Sequence, residues 1–403
     1  MKIFKLMAIA LVAMLGFSAC EKGCDHDFIE VDHSADLVGT WTCLEAGYAE
    51  ALVIKADGSA LSTGVEDGEY WENVAGNIVV KNGIATMTFE DGDNFEGHID
   101  VIAGMAFSIY NENGERMTYN YCANDLSDEI VGMWVCNESD NGMLIRTFTE
   151  DGKVKFTGFS PEEGMYFLNS DDTYKVFGDV LFITSKIDGV STCIGSKMSY
   201  LHDGTSLGDI LVNYVYLPSG NSMETTSWLR IKQSLDLAGK TYGYSSAYVT
   251  NAKGKDEDFS IMGNIFNIAN INAGDFDTIL GSNLFCVELN ANSIKHKYIL
   301  NGQEKVFDAP ITVDGNKVTL DMSAVNPALR KVEMYMFQDA DDSQLHMYMH
   351  TDAFINYFAN LEVVTLLQSG KINQSDAAAV EKVFTDMEAR VESINVSFVL
   401  KLR

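Results

Sequence analysis

The segment Leu37-Val38-Gly39-Thr40-Trp41-Thr42-Cys43 returns 93 residues later as Ile130-Val131-Gly132-Met133-Trp134-Val135-Cys136. A weaker third copy reads Leu237-Ala238-Gly239-Lys240-Thr241-Tyr242. A motif that recurs at domain spacing demands tandem copies of one structural unit, because solenoids repeat every 20 to 50 residues or so. In each copy the glycine opens a β run. Trp and Cys stand two apart, so in a strand they share a face.

The intervals between the copies are rich in tight-turn dipeptides. Asp-Gly pairs begin at 57, 67, 91, 151, 188, 203 and 314, and Asn-Gly pairs at 82, 113, 141 and 301. Both tolerate the positive φ that two-residue hairpins need. The runs between them alternate. In Ile84-Ala85-Thr86-Met87-Thr88-Phe89, the residues Ala85, Met87 and Phe89 share one face; in Leu144-Ile145-Arg146-Thr147-Phe148-Thr149, Leu144, Arg146 and Phe148 do. Short strands, tight turns and only four prolines predict antiparallel meanders, which escape exposed edges by closing into barrels. The expected fold class is all-β, in tandem antiparallel meander or barrel modules.

The third module ends differently. Thr351 is expected to cap a helix over 352–367 with Gly370 as its stop, and Ser375 a second over 376–393 with the apolar stripe Val380, Val383, Phe384, Met387, Val391 and Ile394. Val396, Phe398, Leu400 and Leu402 then alternate as a last strand.

The first residues carry a second constraint. Lys2 and Lys5 precede an apolar run from Leu6 to Phe17 that is too short to span a bilayer, and Ser18-Ala19 is followed by Cys20. This resembles a bacterial lipoprotein lipobox. The resemblance implies that Cys20 becomes the acylated first residue of an exported chain, held to a membrane through its N-terminal lipid. Residues 20–35 read as a tether, and its acidic residues loosely resemble export signals of surface lipoproteins in Bacteroidetes. The implied location is the cell envelope, on the outer membrane, either periplasmic or surface-exposed. The expected division is a signal peptide (1–19), the lipidated tether (20–35) and modules over 36–125, 126–233 and 234–403.

The formal charge of −30 becomes about −32 once the two signal lysines are removed. Such a surface repels phosphate backbones and argues against a nucleic-acid partner. Of seven cysteines, six remain beside Cys20, with no C-x-x-C pair. A mixture of buried thiols and one or two bridges is expected in an oxidising compartment.

Gly39-Thr40-Trp41 and Gly132-Met133-Trp134 resemble the G-x-W opening of lipocalin-type barrels. With the lipobox, the modules look like the lipocalin-like lipoproteins of Bacteroidetes. The resemblance implies that each Trp closes a barrel floor under an Arg from a late strand. Arg116 is therefore expected over Trp41, and Arg230 over Trp134. Gly39, Trp41, Arg116, Gly132, Trp134 and Arg230 are architectural in this reading. Short strands in a module of under 90 residues predict a shallow first barrel filled by Met, Phe and Tyr.

Catalytic and metal patterns are thin. Gly204-Thr205-Ser206-Leu207-Gly208 matches G-x-S-x-G but lies between a turn and a strand-like run, whereas a nucleophile elbow joins strand to helix. His346, His350 and Asp352 could approach one another but lack a fourth ligand, and Cys24-Asp25-His26-Asp27 lies in the tether. No catalytic residue, metal site or cofactor is expected, and the chain reads as a non-enzyme. The leading expectation is a lipid-anchored binding protein for a small hydrophobic or glycan-derived molecule. The alternative is a structural or interaction lipoprotein, with filled barrels that present loops to another envelope protein.

Overall fold

The computed structural model describes residues 34–403 except 93, 111–113, 115, 140–141, 161–163, 188, 203–208, 217–221, 255–257, 263 and 268–270. The signal peptide, Cys20, Cys24 and the G-x-S-x-G match lie outside the described residues.

Three closed eight-stranded antiparallel barrels follow one another along the chain. In the first, β1 (Gly39–Glu45), β2 (Tyr48–Ile54), β3 (Ser59–Glu66) and β4 (Glu69–Lys81) begin a simple meander that ends at β8 (Arg116–Tyr121). Trp41 opposite Tyr121 and Thr42 opposite Asn120 close the ring. The second barrel repeats this from β9 (Gly132–Ser139) and β10 (Gly142–Phe148) to β16 (Met223–Ile231), closed where Trp134 faces Arg230. Among the described residues, the pairs Asp67-Gly68, Asn82-Gly83 and Asn301-Gly302 serve as tight turns. Asp67 and Asn82 take the left-handed conformation (φ 48° and 55°) that these short polar residues tolerate.

The third barrel runs from β17 (Lys240–Gly254) to β26 (Val391–Leu402), which pair with each other. Between β25 (Gln344–Met349) and β26 stand two helices, α1 (Thr351–Gln368) and α2 (Ala377–Glu388). The observed caps are His350 and Asp376, not Thr351 and Ser375, and the Asp376 side chain accepts from the Ala379 amide. The second helix stops at Glu388, five residues before the expected end. Val391 and Ile394 belong to the final strand, where pairing with β17 outcompetes the helical period. Gly370 does end the first helix region, at φ 71°.

The α1 helix buries residues on every side, including Phe354, Ile355, Tyr357, Phe358, Leu361 and Val364. A helix apolar all round has to be enclosed. Its Thr365 bonds Tyr298, and its Phe358 packs against Phe398, both on inward faces of the barrel wall, so α1 plugs the third lumen. Among the described residues no helix is long and apolar enough to cross a membrane.

The barrels also touch directly. The Cys193 amide donates to the Gly68 carbonyl (3.1 Å), and Tyr70 packs on Phe182 (5.6 Å), joining the β3–β4 turn of the first barrel to the side of the second. The Lys232 amide donates to Gln338 (2.7 Å) and the Ala340 amide to Arg230 (3.1 Å), joining the second barrel to the third. Cys43, Cys122, Cys136, Cys193 and Cys286 are all buried thiols with no disulfide among them, so the expected bridges are not found among the described residues.

Candidate functional site: an acidic cup in the first barrel

The closed end of each of the first two barrels is built the same way. Trp41 and Trp134 are fully buried. The Trp41 indole N–H donates to the Leu37 carbonyl (2.6 Å) and that of Trp134 to the Ile130 carbonyl (2.7 Å), four residues back in each case. Gly39 and Gly132 have φ of 147° and 133°, outside the usual range of residues with a Cβ. They leave room for the residue from the last strand that lies over the indole.

That residue differs between the barrels. Arg230 sits 4.5 Å from the Trp134 ring centroid, ion-pairs with Asp209 (3.3 Å) and donates to the carbonyls of Val131 and Glu129. In the first barrel the equivalent position is Tyr121, which meets Trp41 edge-on at 5.2 Å. Arg116 is therefore not over Trp41. β8 runs antiparallel to β1 with Tyr121 opposite Trp41, which carries Arg116 to the far, open end of the barrel. There its guanidinium donates to Ser108 (3.0 and 3.2 Å) and lies 5.2 Å from the Tyr110 ring.

The first barrel is not filled. Above a floor of Trp41, Leu52, Ala85, Phe107 and Ile109, its upper half opens into a cavity of about 900 Å³. Alternation places its lining. Tyr48 and Glu50 on β2 share the face of Leu52 and Ile54, so a carboxylate rises directly from an apolar stripe. Glu50 is only 2% exposed. It accepts from Ser62 (2.5 Å), Tyr48 (2.6 Å) and Tyr119 (2.5 Å), and the Trp71 indole donates in turn to Ser62 (2.8 Å). Three hydroxyl donors hold this carboxylate in place, since a buried charge survives only when it is hydrogen-bonded.

The rim is acidic. Among the described residues, Glu45, Glu66, Asp67, Glu69 and Asp91 join the deeper Glu50 in lining the cavity, against one cation, Arg116. The neighbouring acids respond to burial and to this excess of negative charge. Burial raises Glu45, with Arg116 opposing. Burial, then Glu50, pushes the Tyr48 and Tyr119 phenols well above their usual range. Burial, then Glu45 and Glu50, does the same to the Cys43 thiol. Tyr48, Trp71, Phe89 and Phe95 supply aromatic surface between the carboxylates. A cup of this kind can hold a small body against aromatic faces while accepting hydrogen bonds and attracting positive charge.

Sequence reasoning placed Met87 and Phe89 on one strand face, Asp67 and Asp91 in turns and Arg116 over an indole, and singled out none of the cup residues for binding. Among 58 acidic residues, Glu50 differs only in its place on an apolar face, and that was the available signal. The histidines of the third barrel are not brought together. His346 is buried and bonded to Asp339 (2.9 Å), while His350 has left the strand to cap α1. No group of metal-ligating side chains occurs among the described residues.

No family model matches the chain, and no curated protein matches it. One similar solved structure is a tryptophan-to-alanine mutant of the vaccine antigen transferrin binding protein B from Haemophilus parasuis Hp5. The identity is 11%, the TM-score is 0.22, and the similarity covers 88% of this chain. The chain spans 66% of that protein, just under two thirds of its length.

Proposed function

We propose that this chain is a non-enzymatic, lipid-anchored binding protein of the cell envelope, and that its ligand is a small organic cation taken up by the first barrel. The observation that carries this reading is the open 900 Å³ cup with Glu50 at its base. Its volume lies within the range of small-molecule sites, about 300–1,000 Å³. Six lining carboxylates against one guanidinium favour a positively charged guest, and the low-dielectric wall focuses their field. Trp71 and Tyr48 offer π faces to the same charge. The G-x-W openings and the lipobox-like segment support the lipocalin-like lipoprotein resemblance and, with it, a location of the cup outside the cytoplasm.

Calorimetry tests the reading. Titration with aryl-alkylamines should give saturable binding that weakens with salt. Glu50→Gln should weaken it at least about tenfold, the scale of one charge-assisted contact. Saturable binding of neutral oligosaccharides, insensitive to salt, would replace the cation by a glycan. No binding by either class, with capture of an envelope protein through exposed loops, would favour the interaction role. The anchor has its own test. Cys20→Ala should move the chain from the membrane to the soluble fraction, and a variant that still sediments with membranes removes lipidation as the tether.

A further inference from the structure

At the closed end of the first barrel one hairpin is unlike its neighbours. The other two there turn through Lys55-Ala56-Asp57-Gly58 and Lys81-Asn82-Gly83. The third joins β6 (Asn94–Ile102) to β7 (Ala106–Tyr110). From Val101 to Phe107 it contains no charged, hydroxyl or amide side chain, in a chain of formal charge −30. Its tip is nevertheless in the open, with Ile102 41% and Met105 65% exposed beside all three barrels. Gly104 at φ 67°, and the Met105 amide donating to the Ile102 carbonyl (2.9 Å), fix the turn.

Two more apolar side chains continue this surface. The Tyr121 amide donates to the Met105 carbonyl (2.7 Å). A Cβ on Gly39 would come within 2.7 Å of the Tyr121 ring, and Val38 precedes that glycine. Tyr121 and Val38 are 41% and 42% exposed. A contiguous exposed apolar patch marks an interaction surface.

Two observations say what covers it. The chain enters the barrel at this end, where Ser34–Leu37 leads into β1 and the Leu37 carbonyl takes the Trp41 indole N–H. Residues 20–33 span at most about 50 Å, so an acyl anchor at Cys20 holds this end within reach of the bilayer. Charge is also divided along the barrel axis. Residues 36–125 hold three Lys or Arg side chains. Arg116 is at the mouth, whereas Lys55 and Lys81 are exposed at the closed end and partly offset Asp36, Asp57 and Asp100 there. Glu66, Asp67, Glu69 and Asp91 crowd the mouth. Lipid phosphates therefore repel the mouth more strongly than the closed end.

We propose that this hairpin docks on the membrane surface, with Ile102 and Met105 in the acyl boundary, Val38 and Tyr121 beside them, and the cup's mouth turned away into solvent. The placement rests on the N-terminal anchor proposed above. A tether alone leaves the barrel free to tumble, and a second, apolar contact fixes its orientation. A tyrosine suits the interface, where its ring is apolar and its hydroxyl wet.

Tryptophan fluorescence on tethered chains tests the docking. The full mature chain, residues 20–403, carries an N-terminal histidine tag held by vesicles of phosphatidylethanolamine and phosphatidylglycerol doped with nickel-chelating lipid. The nickel stands in for the acyl chains, so the result does not depend on lipidation of Cys20, which Cys20→Ala tests separately. Met105→Trp should emit at shorter wavelength on the vesicles and lose most of its added emission to lipids brominated on the acyl chain. Glu90→Trp, exposed at the mouth, should do neither. Adding Ile102→Asp to Met105→Trp should restore the lost emission. Three results would each overturn the proposal: Met105→Trp that is not quenched, equal quenching of Met105→Trp and Glu90→Trp, or quenching indifferent to Ile102→Asp. In the first case, quenching that appears once Phe28, Ile29 and Val31 are replaced by serine would assign the patch to the tether instead.

Discussion

Trp41→Ala is expected to destabilise the first barrel by about 3–5 kcal/mol, the usual range for removing a large buried aromatic side chain. The ring is fully buried and makes edge contacts with Phe107 at 5.0 Å and Tyr121 at 5.2 Å. Truncation leaves a void where β1 and β8 close the ring. It also strands the Leu37 carbonyl, which accepts the indole N–H at 2.6 Å, and a buried unpaired acceptor adds a further loss of about 1–3 kcal/mol. Trp41→Phe separates the two contributions by restoring most of the packing while leaving the carbonyl unpaired. Urea unfolding of the full chain should show the first barrel melting as its own, earlier transition in Trp41→Ala, with Trp41→Phe between it and wild type. An unchanged midpoint for Trp41→Ala would show that the indole is not what closes the barrel.

Acid should weaken the third barrel through His296. His296 is fully buried on the inner wall, stacked on Phe307 at 4.3 Å, and neither ring nitrogen makes a hydrogen bond. Burial lowers its pKa from 6.5 to about 3. Between those values the unfolded chain binds the proton and the folded chain does not, so stability is complete above about 6.5 and falls as the pH drops towards 3. Each pH unit in that window costs about 1.4 kcal/mol, so a change from pH 7 to 5 should cost on the order of 2 kcal/mol. His296→Phe keeps the stack and removes the proton site. The difference in unfolding free energy between the two proteins should therefore widen by that amount from pH 7 to 5. Parallel pH profiles would mean that His296 is not held neutral by burial.

The barrels were legible in the sequence for a local reason. Asp-Gly and Asn-Gly pairs set hairpins one at a time, and a meander needs nothing more than consecutive hairpins. Register around the ring is a property of closure and is not written locally. Arg116 looked equivalent to Arg230 because both are late arginines in their modules. Closure instead puts Tyr121 opposite Trp41, and one strand length separates a residue over the floor from a residue at the rim. The boundary between α2 and β26 failed similarly. Val391 and Ile394 fit a helical stripe and a strand equally well, and only pairing with β17 decides. The cup escaped notice because acidity is everywhere in this chain. Glu50 becomes distinctive only when Tyr48, Leu52 and Ile54 are known to face inward. Arg146 shared a visible face with Leu144 and Phe148, but its stacking on Trp228 and Phe156 is a fact of three dimensions.

The duplicated unit and the working unit of this protein are not the same length. Glu66, Asp67, Glu69 and Trp71 stand on or beside the turn whose Gly68 carbonyl is held by the Cys193 amide of the next barrel. One side of the vessel is thus shelved on its neighbour. A fragment cut between the first two modules would keep its floor and its hairpins, yet lose the buttress that sets the spacing of those side chains. Recombinant truncations should accordingly be judged by their grip on a guest, not by whether they are folded.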